Sequence, residues 1–326
     1  MNNPSNISVV ICSYNGEKYI AEQIESILEQ TLLPKEIIVG DDGSTDSTLS
    51  VIEDCRLRIE AKRIRLSIYQ NNHLGAHGNF KATLPKATCE LIAPCDQDDI
   101  WLAEKLEKCA AAMVDGVDLV ACRDQVQNED GLMGEILGHT LAKHMLLWGN
   151  SVYGHLMLIR RSALDVYRIA PKVTFDWGLA LYAAATGTGV LIDDVECIWR
   201  RHPGVVTTEF SNNKCYELVV ASKWTKLYRS LCLLMNNVRS AAITTTMDNT
   251  ARIYAYYGQK KYAAIAENMR KQRPIALLMA CWKNAWLHTT LPQYKKLNLH
   301  EKIGCWCYQF CYPAIWWYDY HTHKSL

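Results

Sequence analysis

Over the first two hundred residues, short apolar runs alternate with amphipathic stretches. Ile7-Ser8-Val9-Val10-Ile11-Cys12 is β-branched and apolar, which predicts a buried strand ending at the turn Ser13-Tyr14-Asn15-Gly16. Ile20, Ile24, Ile27 and Leu28 then recur at helical spacing with Glu and Gln between them, so an amphipathic helix should pack on a sheet. Pro34 follows its end. Glu36-Ile37-Ile38-Val39-Gly40 predicts a second strand, which runs into Asp41-Asp42-Gly43-Ser44-Thr45-Asp46. Further strands are expected at 64–69, 90–95, 117–122, 152–161 and 190–192, with a last short one before Trp199. A helix should open at Phe175 and run to about Ala185, while 124–150 show no clear element. Strand–helix alternation at this pitch argues a mostly parallel α/β sheet flanked by helices. In such sheets ligands bind beyond the carboxyl ends of the strands.

Three of those ends are polar: Ser13-Tyr14-Asn15, Asp41-Asp42-Gly43-Ser44 and Asp96-Gln97-Asp98-Asp99. The last is the most unusual, because three adjacent anions repel one another and Asp is depleted in strands. One reading is that Asp99 caps a helix from Trp101 to about Val114 while its neighbours stay solvated. The other is that the cluster binds a hard divalent cation, as Mg²⁺ sites do with one or two carboxylates and substrate phosphates. The first turn lacks GxGxxG, and the chain has no GxxxxGK[ST], so neither a dinucleotide cradle nor a P-loop is expected.

Charge is uneven. Residues 1–202 carry 19 Lys and Arg against 28 Asp and Glu, whereas 203–326 carry 16 against 6. A basic final third suggests an anionic partner or surface, although no nucleic-acid module is recognisable. Lys223, Lys226 and Arg229 share a helical face, and Arg270, Lys271 and Arg273 precede Pro274. Eight aromatics lie between Trp306 and Tyr320. They suit either a membrane–water interface or a docking helix on the rest of the chain or a second subunit. Thirteen cysteines with no CxxC or zinc spacing suggest buried free thiols in a reducing compartment. Neither a signal peptide nor a membrane-spanning run is evident.

Taken in order, Ser13-Tyr14-Asn15, Asp41-Asp42-Gly43-Ser44-Thr45-Asp46 and Asp96-Gln97-Asp98-Asp99-Ile100-Trp101 resemble the family 2 glycosyltransferases, inverting enzymes of the GT-A fold. The last motif is similar to that of bacterial enzymes of the rhamnosyltransferase type that build O-antigen or capsule. The resemblance spans about residues 7–205. It implies a nucleotide-diphospho-sugar transferase domain at 1–205. A helical region at 206–326 would then serve acceptor, membrane-surface or oligomer contacts. It implies transfer of one sugar from a UDP- or dTDP-linked donor to a hydroxyl of a lipid-linked saccharide acceptor on the cytoplasmic face of the membrane. Ser13, Tyr14, Asn15, Glu17, Asp41, Asp42, Asp96, Gln97 and Arg201 would bind the donor. Asp96, Asp98 and His202 would hold Mn²⁺ or Mg²⁺. Asp176, read from the sequence alone as a helix cap, becomes the catalytic base because the family places one in an Asp-Trp pair there. His155, near the acceptor segment, is read equally as structural. A sugar-phosphate nucleotidyltransferase would need a basic glycine-rich first loop, and a non-catalytic carbohydrate-binding relative would need no intact acidic cluster. The processive synthases' Gln-x-x-Arg-Trp is absent.

Overall fold

The structure, a computed structural model, describes residues 5–128, 131–136, 140–202 and 241–289, together with residues 231, 235, 302 and 313. Lys223, Lys226, Arg229 and, Pro313 aside, the 306–320 aromatic segment lie outside the described residues. The chain divides into two compact units. The first comprises 1–141, 151–168 and 174–204; the second comprises 142–150, 169–173 and 205–326.

The first unit is built on one sheet. β1 (Ile7–Ser13), β2 (Glu36–Asp41), β3 (Arg65–Gln70) and β4 (Leu91–Asp96) are parallel, in the order β3-β2-β1-β4. Every residue of β1 and β2 is buried, as expected for parallel strands covered on both faces. α1 (Ile20–Leu28) lays Ile20, Ile24, Ile27 and Leu28 into that core, where each full burial is worth about 1.5–3 kcal/mol. α2 (Thr48–Ala61) and α3 (Gly75–Thr83) make the next two crossovers.

Beyond β4 the sheet becomes mixed. The remaining strands are β5 (Ile100–Trp101), β6 (Leu119–Asn128), β7 (Gly131–Ile136), β8 (Met157–Arg160) and β9 (Gly189–Arg200), and the order continues β4-β8-β6-β9-β5, with β7 paired to β6. β8 is antiparallel to both β4 and β6, and β9 is parallel to β6. α4 (Lys105–Ala112), the single turn α5 (Val166–Ile169) and α6 (Phe175–Thr186) complete the unit's helices.

Four local expectations change. Ile100-Trp101 is a strand, and the helix begins only at Lys105, because Trp101 is buried with its backbone N–H on Ser26 Oγ. Asp99 therefore caps no helix. Residues expected to lack structure after 124 continue β6 and form β7. The segment 152–161 is a strand only at Met157–Arg160, after a 3-10 turn at Gly154–Leu156. The two short strands expected before Trp199 are one twelve-residue strand. Its apolar pattern is broken by Asp193 and Asp194, which the sheet accommodates with register shifts around Arg123. The expected buried thiols are found: Cys12, Cys55, Cys89, Cys95, Cys109, Cys122 and Cys197 are free and buried, and Cys281 is buried.

In the second unit, α7 (Ala241–Tyr256), α8 (Lys260–Arg270) and α9 (Pro274–Thr289) are joined by short turns. Trp148 is buried there and donates from Nε1 to Asn284 Oδ1 at 2.8 Å. The Tyr254 hydroxyl donates to the Lys143 carbonyl at 2.7 Å. Among the described residues, no helix is long and apolar enough to cross a membrane.

Candidate active site

The loops leaving β1 and β2 are knitted into one surface. Asp41 lies beneath them: it accepts from Ser13 Oγ at 2.8 Å, Ser44 N–H at 2.9 Å and Ser44 Oγ at 2.6 Å. Asp42 likewise accepts the backbone N–H groups of Leu74 and Gly75, at 2.7 and 2.8 Å. Both carboxylates are buried and hold the shape of their loops. Asn15, in the left-handed region at φ 47°, accepts Thr45 N–H on Oδ1 at 2.9 Å. Glu17 accepts Ser47 N–H at 2.9 Å. Tyr14 stands out from this scaffold at 49% exposure, with the His73 ring edge-on at 5.8 Å. This pair is an open aromatic platform, and His73 was not singled out from the sequence because nothing in its loop marks it.

Gln97 ties this surface to the acidic turn. Its side chain accepts from Tyr14 N–H at 2.9 Å and donates to Tyr14 C=O at 3.1 Å. A Cβ at Gly16 would lie 2.1 Å from Gln97 Oε1, so any larger residue there would push Gln97 off Tyr14.

The acidic turn meets the end of β9. Asp98 Oδ2 lies 3.0 Å from His202 Nε2, and the His202 ring stacks on Tyr19 at 4.2 Å. Burial and neighbouring Asp96 push the Asp98 carboxyl above its usual range, while His202 pulls it back. Asp96 is 39% exposed, with Oδ2 3.2 Å from His155 Nδ1. Crowded carboxylates with an imidazole at contact distance are a donor set that fits Mn²⁺ or Mg²⁺. Arg201 stacks over the Trp199 ring at 4.7 Å, and Arg200 pairs with Glu22 at 2.7 Å. Asp99 is fully buried: Oδ1 accepts Arg200 N–H at 3.1 Å, and burial pushes its carboxyl up to about 7.

Asp176 is the second residue of α6, which starts after Thr174, and it accepts its neighbour's amide, Trp177 N–H, at 2.8 Å. Phe175 before it stacks on Phe80 at 4.0 Å and lies against Gly154. Gly154 precedes His155, which touches Asp96. Packing thus connects the Asp176 helix to the acidic turn.

Comparison with known proteins agrees with this architecture. Residues 8–168 match the description "Glycosyl transferase family 2". An uncharacterised glycosyltransferase of Nostoc sp. is 33% identical over 44% of this chain and 47% of its own length. An Escherichia coli UDP-Glc:α-D-GlcNAc-diphosphoundecaprenol β-1,3-glucosyltransferase is 28% identical over 47% of this chain and 59% of its own. A dTDP-rhamnosyl transferase of Shigella flexneri is 35% identical over 32% and 37%. The chain spans roughly half the length of the curated relatives it matches. Among solved structures, a Pyrobaculum calidifontis mannosyltransferase in complex with GDP-Man and Mn²⁺ is 16% identical. It superposes with a TM-score of 0.51 over 99% of this chain and 88% of its own. S. aureus TarS in complex with UDP-GlcNAc gives 0.50 at 19% identity over 96% and 91%. These two share the fold. Residues 8–168 are therefore a family 2 glycosyl transferase domain, carried on a GT-A fold.

Proposed function

We propose that this chain moves one sugar from a nucleoside-diphosphate sugar, UDP- or dTDP-linked, to a hydroxyl of a lipid-linked saccharide acceptor in bacterial surface-polysaccharide synthesis. The observation that carries this reading is the 3.0 Å contact of Asp98 with His202, which closes the acidic turn on the segment after β9. The relatives acting on diphosphoundecaprenol-linked sugars support the acceptor class.

In this reading residues 1–205 are the catalytic part. Tyr14, beside His73, receives the nucleoside base, and the loop held by Ser13, Asn15, Glu17, Asp41, Asp42 and Gln97 shapes its pocket. Arg201 offers charge to the diphosphate. Asp98, His202 and Asp96 would hold Mn²⁺ or Mg²⁺, which offsets the negative charge that grows on the leaving group. The acceptor oxygen attacks the anomeric carbon on the face opposite the diphosphate while the Asp176 carboxylate takes its proton. The bond from the anomeric carbon to the phosphate oxygen breaks, and its electron pair leaves with the nucleoside diphosphate. One displacement inverts the anomeric centre.

Contact with an acidic lipid surface on the cytoplasmic side completes the proposal. Ile275, Leu278, Met279, Trp282 and Trp286 are exposed along one side of α9, and Lys261 and Lys283 lie beside the two tryptophans. Trp and Lys together suit a bilayer interface.

Calorimetric binding of UDP, dTDP, GDP and CMP, each with and without Mn²⁺, tests the reading. One nucleoside diphosphate that binds only with metal is expected; no binding in any condition overturns the proposal.

A further inference from the structure

Asp98 and His202 are 104 residues apart in sequence. Keeping them in contact requires that the turn after β4 and the end of β9 be held in fixed register. The β5–β9 pairing, Ile100 with Ile198 and Trp101 with Cys197, supplies part of this. The rest converges on one side chain. His155 Nδ1 is 3.2 Å from Asp96 Oδ2 and 3.6 Å from Asp99 Oδ2, and its Nε2 is 3.6 Å from Asp124 Oδ2. The imidazole is 2% exposed, and Asp99 and Asp124 are 0% exposed. Asp99 Oδ1 takes Arg200 N–H at 3.1 Å. A continuous path, Asp96–His155–Asp99–Arg200, thus runs beneath Asp98 and His202.

The ring is itself fixed. The buried Lys105 ammonium donates to the His155 carbonyl and sits 3.5 Å above the Trp101 ring. Buried carboxylates without a counter-charge are costly. With so little exposure, His155 reaches no substrate. Asp96 has one oxygen on His155 and is itself 39% exposed.

We infer that His155 is a positioning residue: it orients Asp96 and, through Asp99, aligns the acidic turn with the Arg200–His202 segment so that the carboxylates and His202 meet one cation. This rests on the metal-dependent reading above. Imidazole–carboxylate contacts outside a metal's own ligands tune affinity in this manner, and their loss weakens it by about 10- to 100-fold. Asp99, His155 and Cys197 also lie close enough to share an ion of their own. Burial pushes the Cys197 thiol up and disfavours the thiolate such an ion needs.

The test is Mn²⁺ binding, alone and with UDP or dTDP, read from the electron-paramagnetic-resonance signal of free Mn²⁺. It compares wild type, His155→Gln and His155→Phe, with urea unfolding of each as the fold check. Gln retains one donor, so affinity should fall in the order wild type, Gln, Phe, with the Phe variant down at least tenfold. If neither variant folds, Asp124→Asn, on the other ring nitrogen of His155 from Asp96, should weaken Mn²⁺ in the same direction. Folded His155 or Asp124 variants with wild-type affinity overturn the inference and leave the transferase reading intact. A wild type that binds no Mn²⁺ under any condition overturns both. A tightly held metal in purified protein, lost in Cys197→Ser, overturns it in favour of a buried metal site.

Discussion

Gly154→Ala probes how the position of Asp176 is set. A Cβ there would lie 2.2 Å from Phe175 Cζ and 2.4 Å from Cε2. Ordinary contact begins near 3.4 Å, so the methyl group or the ring must yield by about 1 Å, and forced overpacking of this kind costs about 1–3 kcal/mol. Phe175 has little room to yield, because it is buried and stacked on Phe80 at 4.0 Å and 18°. The strain therefore reaches the residues next to the clash, Asp176 on one side and His155 on the other. A displacement of about 1 Å in a reacting group can cost about 100-fold in rate. The expected outcome is a urea midpoint lowered by that strain, kcat reduced about 10- to 100-fold, and nucleotide binding at the Tyr14 platform unchanged. Adding Phe175→Leu should remove the clash. A double-mutant cycle in urea and in kcat should then show coupling of about 1 kcal/mol or more. Wild-type kcat in a folded Gly154→Ala protein would mean that this packing does not place Asp176, and the argument would fail.

Other outcomes follow from the same geometry. Asp98→Asn should fold normally and lose turnover; retained turnover would remove Asp98 from the metal site. Glu36 is buried; burial alone would raise its carboxyl, but hydrogen bonds from Ser8, Thr88 and Arg65 outweigh this and hold it at about 2. Its contribution is present above the ordinary 4.5 and lost as pH falls through about 2. Across that window it amounts to at most about 3 kcal/mol. Glu36→Gln should therefore flatten the acid limb of stability measured by urea unfolding at pH 6 and pH 3, and an unchanged limb would contradict the assignment. Replacing Trp282 and Trp286 together by Ser should weaken flotation with phosphatidylglycerol vesicles and leave nucleotide binding intact. Equal flotation would remove α9 from the lipid surface.

What the sequence revealed about this site follows from which interactions are local. Strands β1 to β4 were legible because burial on both faces writes a continuous apolar run, and the acidic turn stood out because nothing in a strand tolerates three adjacent carboxylates. The roles of individual carboxylates were not legible. Asp41 and Asp42 stand together in one motif, yet they hold different loops, Asp41 through Ser13 and Ser44 and Asp42 through Leu74 and Gly75. Asp99 looked like a helix cap, yet it is buried against Arg200 and His155, partners 101 and 56 residues away. The β5–β9 pairing brings Arg200 to Asp99 and the β4–β8 pairing brings His155, and β9 itself runs through Asp193 and Asp194, where the apolar pattern breaks. One local signal was available: Asp124 is a charge in the strand that follows Leu119-Val120-Ala121-Cys122, and it is fully buried. A carboxylate in such a place needs a buried cationic partner. His155, set in another apolar run, comes within 3.6 Å of it, so the two anomalies meet once the sheet pairs β6 with β8.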